Sequence, residues 1–219
     1  MLKIGHRGAK GYVAENTLVS FAKAIELNVD AIELDVHLSS DGEVMVIHDK
    51  TINRTTEASG FVKDYSASEL KKIGIPTLND VLLDVNRRCT INIEIKEATA
   101  AQKVIQIVEK QVNEQNWNYN QFEVSSFIWE SLEIISKLNS NIALGVLTED
   151  SIEKALAFAI QIKAKSINPY FKLLNTKNVN LLHSNGFKIY AWTVNTPEDL
   201  IFVKSLNVDG IISDFPDRI

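Results

Sequence analysis

Four short clusters carry side chains suited to acid–base and phosphate chemistry: Gly5-His6-Arg7-Gly8, Glu33-Leu34-Asp35, His48-Asp49 and Asn92-Ile93-Glu94-Ile95-Lys96. Histidine moves protons near neutral pH, and the planar fork of arginine matches a phosphate. Flanking glycines allow close backbone approach. Taken alone, His6-Arg7 is no more than a polar strand end. Acids one residue apart share a face of a strand, so Glu33 and Asp35 point together while Ile32, Leu34 and Val36 take the other face. The same alternation groups Asn92, Glu94 and Lys96 against Ile91, Ile93 and Ile95. In isolation Glu33 and Asp35 read equally as salt-bridged acids, and Glu94 with Lys96 reads as an ordinary internal ion pair. If the two strands are neighbours, three carboxylates converge, and Arg7 and Lys96 do not fully balance them. A divalent cation is the simplest remedy, and an all-oxygen set favours Ca²⁺ or Mg²⁺ over zinc.

The elements that must position these clusters alternate short β-rich runs with amphipathic stretches. Strand-like runs occur at 2–5, 31–38, 44–48, 90–96, 122–127, 142–147, 166–168, 188–194 and 210–213. Asn16 and Thr17 can cap a helix with an apolar face of Leu18, Phe21, Ala22 and Ile25. Thr77 with Asp80 has capping-box spacing, and Thr196-Pro197 opens another helix. Runs 31–38 and 44–48 are too close for a parallel crossover, so they pair antiparallel through the Asp41-Gly42 turn. The run ending at His48 is then a hairpin arm. With Ser40 opposite Glu43, the count places His48 across from Asp35, beside the carboxylates. The other eight runs suit a parallel (β/α)₈ TIM barrel. Residues 49–76 are too long for an ordinary connection and form a small insertion after the second strand.

The chain of 219 residues, 45% hydrophobic and 23% charged, fits one domain spanning 1–219. A net charge of −5 without any Lys/Arg-rich arm argues against nucleic-acid binding. No apolar run reaches the roughly 18 residues of a spanning helix, and the first cluster begins too early for a signal peptide to be expected. The expectation is a cytoplasmic protein without a membrane anchor. The one cysteine, Cys89, excludes an internal disulfide framework and reads as a packing residue. There is no nucleophile elbow, P-loop or dinucleotide fingerprint. Two histidines, two cations and a divalent ion fit phosphodiester cleavage best. Oligomeric state is not readable from this pattern.

The chain resembles the glycerophosphodiester phosphodiesterase family nearly end to end. The resemblance rests on His6-Arg7-Gly8, Glu15-Asn16-Thr17, Glu33-Leu34-Asp35-Val36, Asp41-Gly42 through His48-Asp49, Arg54-Thr55, Glu94-Ile95-Lys96, Ala191-Trp192-Thr193-Val194-Asn195 and Gly210-Ile211-Ile212-Ser213-Asp214. It implies a TIM barrel with a small insertion, His6 and His48 as acid/base catalysts, and Glu33, Asp35 and Glu94 as ligands of Ca²⁺ or Mg²⁺. Arg7 and Lys96 match phosphate-contacting positions, and Trp192 an aromatic position near substrate that also suits plain packing. The implied reaction releases sn-glycerol 3-phosphate and an alcohol from a small glycerophosphodiester. The head group, and which histidine is acid and which base, stay open.

Competing readings are a lysophospholipase D-like or sphingomyelinase D-like enzyme on lipid diesters, and a barrel that binds phosphodiesters without turnover. An amidohydrolase barrel would want His-x-His where this chain has His6-Arg7-Gly8. His37 shares the face of Glu33 and Asp35 but reads as a rim residue. His183 suits a helix C-terminus, and helix capping accounts for Asn16 and Thr17.

Overall fold

Eight parallel strands close on themselves in a computed structural model that describes residues 1–219. They are β1 (Leu2–His6), β2 (Ala31–Leu38), β4 (Thr90–Ile95), β5 (Phe122–Ser126), β6 (Ala143–Thr148), β7 (Ser166–Pro169), β8 (Lys188–Ala191) and β9 (Gly210–Ser213). Each pairs with the next, and β1 pairs with both β9 and β2, which closes the cylinder. The ninth strand, β3 (Val44–Val46), lies antiparallel on β2, so the barrel is a TIM barrel with a hairpin arm. Helices α1 (Leu18–Glu26), α3 (Leu78–Val85), α4 (Ala101–Glu114), α5 (Trp129–Leu138), α6 (Ile152–Ile162), α7 (Thr176–Ser184) and α8 (Pro197–Ser205) fill the crossovers.

The caps follow the sequence chemistry. Thr17 accepts from the Ser20 amide, Thr77 and Asp80 form a capping box, and Thr196 accepts from the Asp199 amide ahead of Pro197. Strand residues facing outward, among them Ile32, Leu34, Ile91, Ile93 and Val124, pack beneath the helices in the main core. Cys89 is buried at its edge.

The hairpin register differs by one residue from the sequence count. Val36 faces Val46, His37 faces Met45 and Leu38 faces Val44, so Asp35 lies opposite Ile47, whose amide donates to the Asp35 carbonyl (2.9 Å). The cause is the loop. Ser39 pairs with Glu43 through a three-residue connection in which Gly42 takes φ 77°. That is a type I turn followed by a left-handed residue rather than a two-residue turn. A one-residue slip would send His48 to the wrong face of a continuing strand. The ladder instead ends at Val46, and the chain bends so that His48 enters the site from a loop.

Residues 49–76 share a small core with the hairpin arm. Met45, Ile47, Ile52, Val62, Ala67, Leu70 and Ile75 pack together, with α2 (Ala67–Lys72) capped by Ser66 and Glu69. A bridge between Thr51 and Phe61 folds the segment back on itself.

Candidate active site

Two rows of side chains cross the strands at the C-terminal mouth of the barrel. In one, His6 pairs with Glu33, Glu33 with Asn92, and Asn92 with Glu123; in the next, Asp35 pairs with Glu94, Glu94 with Ser125, and Ser125 with Gly145. Residues paired in register face the same side, so β1, β2, β4 and β5 present these rows to one cleft. That cleft has a volume of about 110 Å3, and its lining includes His6, Arg7, Glu33, His48, Glu94, Lys96 and Trp192.

One oxygen from each of Glu33, Asp35 and Glu94 lies within 4.8 Å of the others, a geometry that can hold a metal ion. All three carboxylates are buried, and Glu33 Oε1 and Asp35 Oδ1 make no hydrogen bond. A buried anion without compensation is costly. The titration directions record that tension. Burial, with the charges of Asp35 and Glu94, pushes Glu33 well above the carboxylate range. Burial and Asp35 push Glu94 up to about 7. Burial also opposes ionisation of Asp35, but Lys96 and Arg7 outweigh it and hold Asp35 low. Lys96 Nζ lies 2.6 Å from Glu94 and 3.4 Å from Asp35, and Arg7 Nε lies 3.2 Å from Asp35. Two cations against three acids leave a deficit of positive charge, and all-oxygen ligands suit a hard divalent ion.

Each histidine is backed by an aspartate. His6 Nδ1 donates to Asp214 Oδ1 (2.6 Å), and His48 Nδ1 donates to Asp49 Oδ1 (2.6 Å). A carboxylate only accepts, so the proton sits on Nδ1 and Nε2 is left free. His6 Nε2 lies 4.0 Å from Glu33. Burial lowers the affinity of both rings for a second proton, against the raising pull of Asp214 on His6 and of Asp35 and Asp49 on His48.

Loop residues complete the arrangement. Arg7 adopts φ 50°, in the left-handed region that side chains rarely occupy, and its amide donates to Glu33 Oε2 (2.9 Å). Glu15 accepts from both Arg7 (2.7 Å) and Arg54 (2.7 and 2.9 Å), which places its carboxyl at about 2. Arg54 also donates to Asp49 (2.7 Å), tying the insertion to the loop after β1. Asn16 is not a helix cap. It is buried at φ 55°, and its amide donates to Asp35 Oδ2 (2.9 Å). The partners Asn16, Glu15, Asp49, Arg54 and Asp214 lie in the motif stretches, yet no strand or helix period singles them out.

The far wall is aromatic. Trp192 donates from its indole nitrogen to the Asn168 carbonyl (2.7 Å) and meets Phe127 edge-on at 5.3 Å. His37 stands behind the site, hydrogen bonded to the His48 carbonyl (3.1 Å) and 3.5 Å from Glu97, outside the acidic triad. His183 pairs with Asp209 at 2.8 Å, and neither residue lines the cleft.

Comparison with known proteins gives the family and bears out the fold. The family model described as "Glycerophosphoryl diester phosphodiesterase family" matches residues 6–218. A glycerophosphodiester phosphodiesterase from Bacillus altitudinis is 39% identical, covering 100% of this chain and 96% of the relative. One from Caldanaerobacter subterraneus is 35% identical with the same coverage, 100% and 96%. Among solved structures, glycerophosphodiester phosphodiesterase from Thermotoga maritima is 31% identical with a TM-score of 0.86, covering 99% of this chain and 96% of that one. With a match from His6 to Arg218 and relatives aligned over the whole of this chain, the chain belongs to the glycerophosphoryl diester phosphodiesterase family.

Proposed function

We propose that the chain hydrolyses glycerophosphodiesters to sn-glycerol 3-phosphate and an alcohol, with His6 and His48 as the acid–base pair. The observation that carries this reading is the convergence of two aspartate-backed histidines on a buried carboxylate triad that retains unpartnered oxygens. Family membership makes the chain a phosphodiesterase; the roles below are assigned to this chain's own residues.

Glu33, Asp35 and Glu94 would hold one divalent cation, Ca²⁺ or Mg²⁺, whose orphaned ligands include Glu33 Oε1 and Asp35 Oδ1. Such an ion supplies charge neutralisation to the phosphate when bound. Arg7 and Lys96 bind the phosphate oxygens as their negative charge grows. Attack comes from water directly, or from a neighbouring glycerol hydroxyl to give a cyclic phosphate that water then opens to glycerol 3-phosphate in a second, equivalent step. One histidine takes the attacking proton on its free Nε2, and the other protonates the leaving oxygen. Asp214 and Asp49 hold the two rings in the tautomer that this exchange needs. Trp192 and Phe127 offer an apolar wall beside the organic part of the substrate.

A water-soluble diester is favoured over a lipid one. The apolar side chains of the insertion are turned into the core it shares with the hairpin arm, leaving Phe61 as its large exposed hydrophobic. No helix is long and apolar enough to cross a membrane.

The test is release of glycerol 3-phosphate from glycerophosphocholine, glycerophosphoethanolamine and glycerophosphoglycerol, with and without chelator. His6→Ala and His48→Ala are each expected to lose about 10²–10⁴ of kcat. Turnover that survives the chelator overturns the cation assignment, and no release from any head group overturns the substrate class.

A further inference from the structure

Two polar side chains in the cleft have no role in the scheme above and no partner in the protein. Asn92 is 4% exposed and Ser125 is fully buried, and both line the cleft. Neither Asn92 Oδ1 nor Ser125 Oγ makes a hydrogen bond. They are not scattered. Asn92 sits between Glu33 and Glu123 in the first row, and Ser125 sits beside Glu94 in the second, on adjacent strands. Of the six buried side-chain polar atoms in the whole chain that make no hydrogen bond, five belong to this site, on Arg7, Glu33, Asp35, Asn92 and Ser125.

The five divide by chemistry. Those on Arg7, Glu33 and Asp35 are charged and answer to a phosphate or a cation. Those on Asn92 and Ser125 are neutral, one an acceptor and the other able to donate or accept. A neutral pair of this kind suits a hydroxyl, which does both. Leaving such groups buried and unpaired destabilises the free protein, so a partner from outside the chain is the natural complement.

We propose that Asn92 and Ser125 form a hydroxyl-binding floor that takes the glycerol hydroxyls of the substrate and so selects a glycerol ester over other phosphodiesters. This rests on the glycerophosphodiesterase reading. It gives the β4–β5 side of the cleft a specificity task, while Arg7 and Lys96 address the phosphate shared by every diester. A site built to hydrogen-bond a substrate hydroxyl discriminates strongly against the analogue lacking it, because its own polar groups are then left unpaired.

The experiment compares binding of glycerol 3-phosphate and propyl phosphate, which differ only in the hydroxyls, to the cation-loaded protein by calorimetry. Wild type, Ser125→Ala and Asn92→Leu are measured, together with cation affinity and melting temperature. The wild type is expected to prefer glycerol 3-phosphate, and each substitution to reduce that preference about tenfold, the worth of one hydrogen bond of typical strength. Ser125→Ala is expected to melt no lower than wild type, since the hydroxyl has no partner in the free protein. It therefore decides the matter even if Asn92→Leu fails to fold.

Equal losses for both ligands, or a preference that the substitutions leave intact, overturn the floor. Loss of cation affinity without a change in preference also overturns it. If the wild type shows no preference and releases glycerol 3-phosphate from no diester, the functional reading itself has failed. Release of glycerol 3-phosphate with a preference untouched by the substitutions removes the floor alone.

Discussion

The free Nε2 of His6 depends on one carboxylate that the strand pattern does not reveal. Asp214 accepts from His6 Nδ1 on one oxygen (2.6 Å) and from Asn195 Nδ2 on the other (2.9 Å), while its own amide donates to Asn195 Oδ1 (2.9 Å). Both side-chain oxygens therefore face donors. Asp214→Asn forces an NH₂ group against one of them, so either the ring gives up its tautomer or Asn195 lets go. The expected result is a loss of about 10²–10⁴ in kcat with a much smaller change in KM. Steady-state kinetics on glycerophosphocholine reads it directly, and an unchanged kcat would show that the ring is held by other means. At this scale the sequence was legible where period-2 alternation applies. Glu33 with Asp35, and Glu94 with Lys96, were grouped by counting alone. Asp214 reaches His6 across 208 residues from a loop after the last strand, and Asn16 reaches Asp35 from a left-handed turn. Neither has a periodicity to betray it.

At the scale of elements, the barrel strands and helix caps could be read from local pattern, because apolar alternation and Thr–Asp spacing are local properties. The hairpin shows where that stops. Asp41-Gly42 did mark the turn, but the loop holds three residues, since Gly42 alone takes the positive φ. His48 consequently reaches the site after the ladder ends, and its position falls to side-chain ties. Arg54 supplies them: it spans Glu15 on the loop after β1 and Asp49 beside His48. Burial is slight for Arg54, so its value is orientation rather than stability. Arg54→Ala is expected to reduce kcat about ten- to hundredfold, the usual effect of removing a residue that orients a site ligand. Arg54→Lys should recover only part of this, because an ammonium cannot engage two carboxylates in the fork geometry. Hydrogen exchange should quicken across 49–62 in both variants. Wild-type kcat in Arg54→Ala would mean that the insertion positions His48 without this bridge.

For the whole molecule, the barrel interior beneath the catalytic mouth is polar on the β5 to β7 side and apolar on the side of β1, β2 and β9, where Ile4, Ala31 and Ile212 cluster. Glu123 is buried on the polar side, accepting from Asn168 Nδ2 (3.0 Å), and Ser166 Oγ donates to Asn168 Oδ1 (2.8 Å). Gly145 makes the room, since a Cβ at that position would collide with Glu123, Asn168 and Ser166. No cation faces Glu123, and burial raises its carboxyl from 4.5 to about 7, with Asn168 and Ser166 pulling weakly the other way. A carboxyl raised on folding contributes stability that is present below its unfolded value and is lost as pH rises through its folded value. The window is therefore from 4.5 to about 7. Glu123→Gln keeps the acceptor oxygen and removes the charge. The variant should match wild type near pH 4 and exceed it by roughly 3 kcal/mol above pH 7. Urea midpoints at pH 4.5, 6 and 8 measure the gap, which is isolated from the other buried carboxylates because they are common to both proteins. A gap that stays constant with pH would mean that Glu123 holds the same charge folded and unfolded. A gap that widens as pH rises would mean that the barrel carries a protonated carboxyl at its centre in acid, at a stability cost that begins above pH 4.5 and is complete above about 7.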